Sequence, residues 1–270
     1  MLLIGATYKV AEEVFQKLGI KYKIISNNPN GVNINENCGS THLDELKKFV
    51  LENKLSLGIA YDGDGDRCLA VDENGKEVDG DTMLAIFSEY MKNKGTLKND
   101  TFVATIMSNL GLNKFAKENG IELKQTKVGD RYVLEEMLKN GYNLGGEQSG
   151  HIIMLDYNPT GDGILTSLML IQILLEKSIP LSKLCDIITI YPQVLINAKV
   201  NSNRKNEYLN DKEIQDKINE LQNKFSTEGR VIIRPSGTEP LIRVMIEGKD
   251  IDYITKEATK LSNLIEERLK

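Results

Sequence analysis

The chain has 270 residues, 40% of them hydrophobic, and its 34 basic and 39 acidic side chains leave a formal charge of -5. This length can bury sizeable cores in two or three small domains. The acidic balance excludes broad electrostatic attraction to nucleic acid or to an anionic membrane, so any basic site must be local.

Cysteine usage and the absence of long apolar runs predict a soluble cytoplasmic protein. Cys38, Cys68 and Cys185 are far apart and form no CxxC pair, which argues against a zinc site or a redox pair. The opening MLLIGATYKV lacks the basic and long apolar stretches of a signal peptide. No run reaches the roughly 18 apolar residues that span a membrane, so we expect no membrane partner.

The first predicted segment, residues 1–78, combines helices and strands. Apolar residues at helical spacing predict a helix over residues 8–18. Thr41, with an aspartate three residues later, predicts a capping box that opens a second helix. Short apolar runs at residues 55–61 and 68–72 predict buried strands. The first helix lacks the strand that normally precedes one in an alternating domain, which predicts a fragment.

The second predicted segment, residues 79–188, alternates strands and helices. It opens at Asp79, after a turn and before a helical stretch. The elements that follow are a strand at 101–107, a helix at 109–118, a strand at 121–126, a helix at 132–139 and a strand at 151–155. Asp162 can then cap a long apolar helix that runs to about Glu176.

The last predicted segment, residues 189–270, has a different pattern. Its elements run strand, helix, strand, turn, strand and helix. Residues 201–206 are polar and predict a loop after the first strand. This order indicates an α+β domain, in which two strands join directly through a turn and form an antiparallel sheet.

An acidic loop at residues 62–67, which we name the metal loop, separates the two strands of the first segment. Its glycines let the backbone curl so that the carboxylates of Asp62, Asp64 and Asp66 converge on one cation. A hard divalent ion, Mg²⁺, relieves their repulsion and leaves a coordination position for a phosphate oxygen. Arg67 is placed to hold the same phosphate.

Two alternatives compete with magnesium binding at this loop. Counted from Asp62, the aspartates match the first, third and fifth positions of a calcium-binding EF-hand, and Glu73 matches the twelfth. The match breaks at the sixth position, where Arg67 replaces the glycine of the sharp turn, and the flanks resemble strands rather than helices. The other alternative is a solvated acidic turn, which leaves three carboxylates without a partner.

The segment RPSGTEP, residues 234–240, joins two predicted strands, and we name it the phosphate loop. It offers a guanidinium, two hydroxyls and backbone N–H groups, which are ligands for phosphate. Arg243 on the following strand can add a second guanidinium. A plain β-turn with solvated arginines is the alternative. No GxxxxGK[ST] motif is present, so a nucleoside triphosphate is not implied.

The segment GGEQSGH, residues 145–151, lies between two predicted strands, and we name it the sugar loop. Glu147 and Ser149 can hydrogen-bond sugar hydroxyls, and His151 can move a proton. A glycine-rich hairpin without a ligand is the alternative. His42, the only other histidine, lies at a helix start and is predicted to be structural.

Taken in order, the three loops resemble those of the α-D-phosphohexomutase family, whose motifs are similar to DGDGDR, GGEQSGH and RPSGTEP. The segments CGSTH at 38–42, MSNLGL at 107–112 and VGDRYV at 128–133, together with Gln148, are similar to the phosphoglucosamine mutase branch in particular. The resemblance covers almost the whole chain. Three motifs in one order make it specific.

The resemblance implies an α/β fold. Members of the family have four domains, and this sequence is similar to most of the second and all of the third and fourth. It thus implies two mixed-sheet α/β/α domains at residues 1–78 and 79–188, the first of them truncated. A C-terminal α+β domain with an antiparallel sheet follows at residues 189–270.

The resemblance also implies a reaction. A phosphoserine on the first domain of the family donates its phosphoryl group to glucosamine 6-phosphate. The resulting bisphosphate reorients and returns the other phosphoryl group, releasing glucosamine 1-phosphate for the synthesis of cell-wall aminosugars. The implied cofactor is Mg²⁺, and the implied substrate is a phosphorylated hexosamine.

Individual roles carry over from the resemblance to matching positions. Asp62, Asp64 and Asp66 hold the Mg²⁺, Arg67 steadies the phosphoryl group, and His151 matches a histidine that transfers protons. The implied substrate-binding residues are Glu147 and Ser149 for the sugar, and Arg234, Ser236, Gly237, Thr238 and Arg243 for the non-reacting phosphate.

The sequence departs from the family at one point that matters for activity. No serine stands in the Ser-His-Asn context of the phosphoserine. We therefore expect an N-terminal domain to be missing and the chain to be inactive alone. We also expect a separately encoded phosphoserine domain to be its partner. A non-catalytic sugar-phosphate-binding fragment and a fragment of a phosphomannomutase or phosphoglucomutase are the alternatives. Asp130 and Arg131 are assigned to substrate selection or lid closure.

Overall fold

A computed structural model of the chain describes residues 5–270. The described residues form two compact units. The first contains the described residues up to Ser108 together with Leu112–Thr189, and the second contains Asn109–Gly111 together with Ile190–Lys270. None of the helices within residues 5–270 combines the length and the apolar character that crossing a bilayer requires.

The first unit has two sheets. Its helices are α1 (Tyr8–Lys17), α2 (Asp44–Asn53), α3 (Gly80–Asn93), α4 (Leu110–Glu118, apart from its first two residues), α5 (Asp130–Asn140), α6 (Gly163–Lys177) and α7 (Leu181–Cys185). Its strands are β1 (Leu57–Tyr61), β2 (Cys68–Asp72), β3 (Glu77–Val78), β4 (Thr101–Thr105), β5 (Glu122–Thr126), β6 (Leu144–Gly146) and β7 (Ile152–Met154). The strand orders are β1-β2-β3 and β5-β4-β6-β7.

The pairing within these sheets follows the connections between strands. Short turns join β1, β2 and β3, and these strands pair antiparallel. Helical crossovers join β4, β5 and β6, which are parallel, whereas β7 returns antiparallel to β6. The mixed sheet that the sequence predicts for the middle segment is therefore confirmed. One buried hydrophobic cluster contains residues from both the first and the second predicted segments, such as Leu46 and Phe102.

Aspartates cap the two longest helices of the first unit, and the cap at Asp162 is the one that the sequence predicts. The Asp79 carboxylate accepts a hydrogen bond from the Thr82 backbone N–H at the start of α3, at 2.9 Å. The Asp162 carboxylate accepts one from the Leu165 N–H at the start of α6, also at 2.9 Å. Each carboxylate satisfies a backbone donor that the helix itself leaves without a partner.

The predicted capping box at Thr41 is wrong. Helix α2 begins at Asp44, and Leu43 precedes it with a helical backbone and no side-chain cap. The Thr41 hydroxyl lies 3.1 Å from Nδ1 of His42 instead. Burial of Leu43 in the core fixes the start of the helix, and the acidic residues of the first turn interact favourably with the helix dipole.

The end of β1 is fixed to α6 by a buried hydrogen bond. The Tyr61 hydroxyl lies 2.6 Å from the Ser167 hydroxyl, which itself donates to the Ile164 carbonyl at 2.7 Å. Tyr61 is therefore the donor to Ser167. Burial, together with the neighbouring Cys68, raises the pKa of Tyr61 well above its usual range, so the neutral donor persists.

Replacing Tyr61 with phenylalanine is expected to lower the free energy of unfolding of the first unit by about 1 kcal/mol, the net contribution of one neutral hydrogen bond. Ser167→Ala should cost more, about 1–3 kcal/mol, because the Tyr61 hydroxyl would stay buried without its acceptor. Urea unfolding followed by circular dichroism measures both values. A larger loss in Tyr61→Phe than in Ser167→Ala would contradict the assigned donor.

The second unit is an antiparallel sheet covered by two helices. Its elements are β8 (Gln193–Lys199), α8 (Lys212–Phe225), β9 (Gly229–Pro235), β10 (Leu241–Gly248) and α9 (Ile251–Leu269). The strand order is β8-β10-β9, and every pairing is antiparallel. The apolar faces of α8 and α9 pack on the sheet and form one buried cluster. The α+β order and the antiparallel sheet predicted from the sequence are confirmed.

Candidate functional site

The metal loop connects two paired strand ends. Tyr61 at the end of β1 pairs with Cys68 at the start of β2, so residues 62–67 close into a compact loop. Gly65 has φ of 80°, a left-handed conformation that glycine adopts without steric cost. One carboxylate oxygen from each of Asp62, Asp64 and Asp66 lies within 4.8 Å of the others. The sequence predicted this convergence of the carboxylates.

Charge crowding perturbs the titration of this loop. Burial, a hydrogen bond with Asp66 and the charges of Asp66 and Asp64 raise the pKa of Asp62 to about 6. For Asp66, partial burial is outweighed by hydrogen bonds with Asp62 and His151, and the pKa of its carboxyl is lowered. The Arg67 Nε lies 3.7 Å from an oxygen of Asp62 and its backbone N–H donates to Asp62 at 3.0 Å. The guanidinium of Arg67 thus compensates only part of the negative charge of the three carboxylates.

The carboxylates fit a hard divalent cation. The donors are all oxygen atoms, as Mg²⁺ prefers. Among residues 5–270, the buried Oδ1 of Asp66 has no hydrogen-bond partner, which leaves it available as a ligand. A cavity of about 350 Å³ adjoins Asp64 and Asp66 and is also lined by Thr160 and Asp162, so space for further ligands is present.

The calcium-binding alternative does not match the geometry. The loop is flanked by strands β1 and β2 and not by helices. Glu73, the counterpart of the last EF-hand ligand, hydrogen-bonds the hydroxyl and the backbone N–H of Ser182 at the start of α7. Its carboxylate therefore has a structural role outside the metal loop.

The fold places the sugar loop directly beside the metal loop. Arg67 forms an antiparallel bridge with His151, and the Cys68 N–H donates to the Gly150 carbonyl at 3.1 Å. The Gly163 N–H, at the start of α6, donates to the Gly65 carbonyl at 2.9 Å. Backbone hydrogen bonds thus hold two loops together that are about 80 residues apart in the sequence.

His151 has both ring nitrogens engaged. Its Nδ1 lies 2.9 Å from an oxygen of Asp66, and its Nε2 accepts a hydrogen bond from the Gly161 N–H at 3.2 Å. Because Nε2 is the acceptor, the proton of the neutral ring is on Nδ1 and points to Asp66. The ring is 3% exposed, and a side chain at Gly161 would collide with it. The ring therefore contacts the metal loop through Asp66, and the proton-transfer role of His151 stays a prediction.

The remaining polar groups of the sugar loop differ in exposure. Glu147 is half-buried, and its carboxylate accepts a hydrogen bond from the Gly129 N–H at 3.1 Å. Ser149 is exposed. Gly129 belongs to the segment VGDRYV, in which Asp130 and Arg131 are exposed at the start of α5. The sequence did not indicate that this segment positions Glu147.

In the second unit, the phosphate loop connects β9 and β10. Arg234 on β9 lies directly opposite Arg243 on β10, so the two guanidinium groups project from the same face of the sheet. Like charges in this position repel each other, and a bound anion between them removes the repulsion. Among residues 5–270, the buried Nε of Arg234 has no hydrogen-bond partner.

The tip of the phosphate loop is open, but its base is fixed. Ser236 is buried, and its hydroxyl accepts a hydrogen bond from the Glu239 N–H at 3.2 Å. Gly237 and Thr238 are exposed at the tip. Lys205 donates to the carbonyls of Ser236 and Glu239 at 2.7 and 3.2 Å. No local pattern predicted the role of Lys205, because it lies in a polar connection about 30 residues before the loop in the sequence.

Comparison with known proteins identifies three consecutive domains. Residues 2–75 match the family model "Phosphoglucomutase/phosphomannomutase, alpha/beta/alpha domain II". Residues 79–191 match alpha/beta/alpha domain III of the same family, and residues 195–263 match its C-terminal domain.

Curated relatives share more than half of the aligned residues. Phosphoglucosamine mutase of Acetivibrio thermocellus is 56% identical over 265 residues, and that of Clostridioides difficile is 54% identical over 265 residues. Both alignments cover 98% of this chain and 59% of the relative. The chain therefore spans less than two thirds of the length of these relatives.

Solved structures share the fold at lower sequence identity. A crystal structure of an N-acetylglucosamine-phosphate mutase in the product complex matches with a TM-score of 0.76 and 19% identity, over 97% of this chain and 60% of that one. Aspergillus fumigatus N-acetylphosphoglucosamine mutase, in complex with GlcNAc-6P and magnesium, matches with a TM-score of 0.76 and 20% identity, over 98% and 60%. With three domain models matched in order, the chain belongs to the phosphoglucomutase/phosphomannomutase family.

Proposed function

We propose that this chain forms the metal-, sugar- and phosphate-binding parts of a phosphoglucosamine mutase, an isomerase that interconverts glucosamine 6-phosphate and glucosamine 1-phosphate. The observation that carries the proposal is the convergence of three carboxylates within 4.8 Å in a loop joined to the sugar loop by backbone hydrogen bonds. The names of the relatives at 54–56% identity support the glucosamine substrate.

The metal loop prepares the site of phosphoryl transfer. Asp62, Asp64 and Asp66 would hold Mg²⁺, which supplies positive charge to the transferring phosphoryl group. Arg67 is close enough to two of these carboxylates to be held at the edge of the loop, where its guanidinium can contact phosphate oxygens. His151 keeps Asp66 in one orientation through its Nδ1 proton.

The other two loops bind the substrate. Glu147 accepts hydrogen bonds from sugar hydroxyls and is itself oriented by Gly129, while the exposed Ser149 can donate or accept. The phosphate loop binds the non-reacting phosphate through Arg234 and Arg243. Two guanidinium groups on one phosphate fix its orientation.

The phosphoryl donor is supplied from outside these 270 residues. The family resemblance implies a phosphoserine, and no serine here lies in the Ser-His-Asn sequence that the family uses. We assign this donor to the phosphoserine domain that the family resemblance implies, with which these domains would form the active enzyme. All three cysteines are free, as in the reducing cytoplasm where aminosugar phosphates are made.

Replacing Arg234 with alanine is expected to weaken binding of glucosamine 6-phosphate about tenfold, because a charge-assisted hydrogen bond contributes about 1.5 kcal/mol or more. The substitution also removes the repulsion between Arg234 and Arg243, so the protein should stay folded. Isothermal titration of the sugar phosphate into the chain, with Mg²⁺ present, measures the affinity.

Lys249→Ala is the matched control, because Lys249 is a cation of the same unit that pairs with Glu228 at the opposite end of β9 and β10 from the phosphate loop. It should bind the sugar phosphate as tightly as the unsubstituted chain. Equal affinity in Arg234→Ala would overturn the phosphate loop assignment. Tighter binding of mannose 6-phosphate or glucose 6-phosphate would reassign the substrate to another branch of the family.

A further inference from the structure

The sugar loop contains a tight turn whose two central side chains have different surroundings. The Gly150 N–H donates to the Glu147 carbonyl at 3.0 Å, a hydrogen bond that closes a β-turn over residues 147–150. Gln148 and Ser149 are the central residues of this turn. Ser149 is exposed, whereas Gln148 is half-buried. The environment of Gln148 therefore differs from that of a side chain at an open loop tip.

The backbone of this turn lies directly against the start of helix α3. The N–H of Gly80, the first residue of α3, donates to the Gln148 carbonyl at 2.9 Å. A side chain on Gly80 would overlap the Glu147 carbonyl oxygen and crowd the Gly150 nitrogen. Glycine is the residue that lets two stretches of backbone approach this closely. The start of α3 is thus shaped to receive the turn.

The side chain of Gln148 extends this contact to the cap of α3. Its Nε2 donates to Oδ2 of Asp79 at 3.2 Å. Oδ1 of the same carboxylate accepts from the backbone N–H and the hydroxyl of Thr82, at 2.9 and 2.7 Å. Because a carboxylate is planar and rigid, the donors that hold Oδ1 also fix the direction of Oδ2. An ionised carboxylate only accepts hydrogen bonds, so residue 148 has to supply a donor.

We propose that Gln148 is a positioning residue, which holds the sugar loop against the Asp79 cap of α3 and thereby places Glu147 and Ser149 for the sugar. Glu147 directly precedes Gln148 and Ser149 directly follows it, so a displacement of the turn moves both. The role in substrate binding rests on the proposed function, whereas the attachment of the loop to α3 does not. Gln148 acts on the substrate through its neighbours.

Two substitutions exchange donor and acceptor in this pair. In Gln148→Glu, two carboxylates would face each other at hydrogen-bond distance, where like charges repel. Adding Asp79→Asn places an amide opposite the new carboxylate, so the donor lies on residue 79 and the acceptor on residue 148. Asparagine is as good a helix N-cap as aspartate, so α3 keeps its cap. The double variant should therefore restore the hydrogen bond.

The first measurement is the exchange of the Gly80 and Gly150 backbone amides, followed by NMR in the purified chain without ligand. Both amides donate to carbonyls of the turn, so both lose protection when the turn leaves α3. We expect Gln148→Glu to speed their exchange about tenfold, the factor that corresponds to loss of a hydrogen bond to a charged group. The double variant should return to the rate of the unsubstituted chain.

Gln172→Glu is the matched control for this measurement. Gln172 lies in the middle of α6 and donates its amide to the Glu176 carboxylate at 3.0 Å, so the substitution creates the same repulsion at another place in the unit. It should leave the exchange of Gly80 and Gly150 unchanged. Unsubstituted exchange rates in Gln148→Glu would overturn the proposal, and so would a double variant that exchanges as fast as Gln148→Glu.

The second measurement is the affinity for glucosamine 6-phosphate, by isothermal titration with Mg²⁺. Gln148→Glu should bind at least about fivefold more weakly, because only molecules with the loop in place bind at full strength, and the double variant should recover the affinity. Restored exchange rates without restored affinity would overturn the positioning role. An unsubstituted chain that does not bind the sugar phosphate would contradict the proposed function, whereas the exchange rates would still decide the attachment of the loop.

Discussion

Replacing Asp64 with asparagine is expected to weaken divalent metal binding by at least about a hundredfold. Loss of a residue that only hydrogen-bonds a metal ligand already lowers metal affinity roughly 10–100-fold, and Asp64 would be a ligand itself. Asp64 is the exposed member of the three carboxylates, so its substitution should leave the fold intact. It also removes one of the charges that raise the pKa of Asp62. Mn²⁺ is a suitable probe, and its binding can be followed by electron paramagnetic resonance.

The matched control for this prediction is Asp186→Asn. Asp186 is an exposed aspartate of the first unit that pairs with Lys183 and lies outside the metal loop. The control should retain the Mn²⁺ affinity of the unsubstituted chain. If Asp64→Asn bound Mn²⁺ as tightly as the control, the metal loop would not be the binding site.

Replacing His151 with leucine is expected to weaken Mn²⁺ binding by roughly 10–100-fold, although the histidine is not a metal ligand. The ring donates from Nδ1 to Asp66 and is fixed by Gly161 on its other side, so it holds the carboxylate in one orientation. Leucine cannot donate, and Asp66 would then rotate freely or protonate. The same Mn²⁺ titration measures the loss.

His151→Asn is the informative companion, because its side-chain amide can occupy the position of Nδ1 and donate to Asp66. We expect it to recover most of the metal affinity that leucine loses, which a purely steric role for the ring would not produce. Thermal unfolding of both variants controls for damage to the core. Wild-type Mn²⁺ affinity in His151→Leu would show that the ring does not orient Asp66.

The sequence predicted the secondary structure well wherever periodicity and capping residues are local. The long helix α6 and its cap Asp162 follow from a run of apolar residues behind an aspartate. The start of α2 was predicted incorrectly at Thr41, because burial of Leu43 outweighs a local capping pattern. A capping box describes hydrogen bonds that a short segment can form, but tertiary packing decides whether they form.

The metal loop could be predicted because its whole chemistry lies within six consecutive residues. Glycines between aspartates allow the chain to curl, and repulsion between carboxylates favours a bound cation. The phosphate loop is similar, since arginine and hydroxyl groups are close together in the sequence. The direct pairing of Arg234 with Arg243 was not predictable, because it depends on the register of β9 against β10.

The sequence by itself determined the residue types of each loop, their order along the chain and the kind of ligand that we propose for each. Tertiary structure decided which loops are neighbours and which groups are already engaged. His151 faces Asp66, Gly129 orients Glu147, and Lys205 fixes the phosphate loop. These contacts join residues far apart in sequence, so strand register and helix packing set them, and no local pattern of residues encodes either.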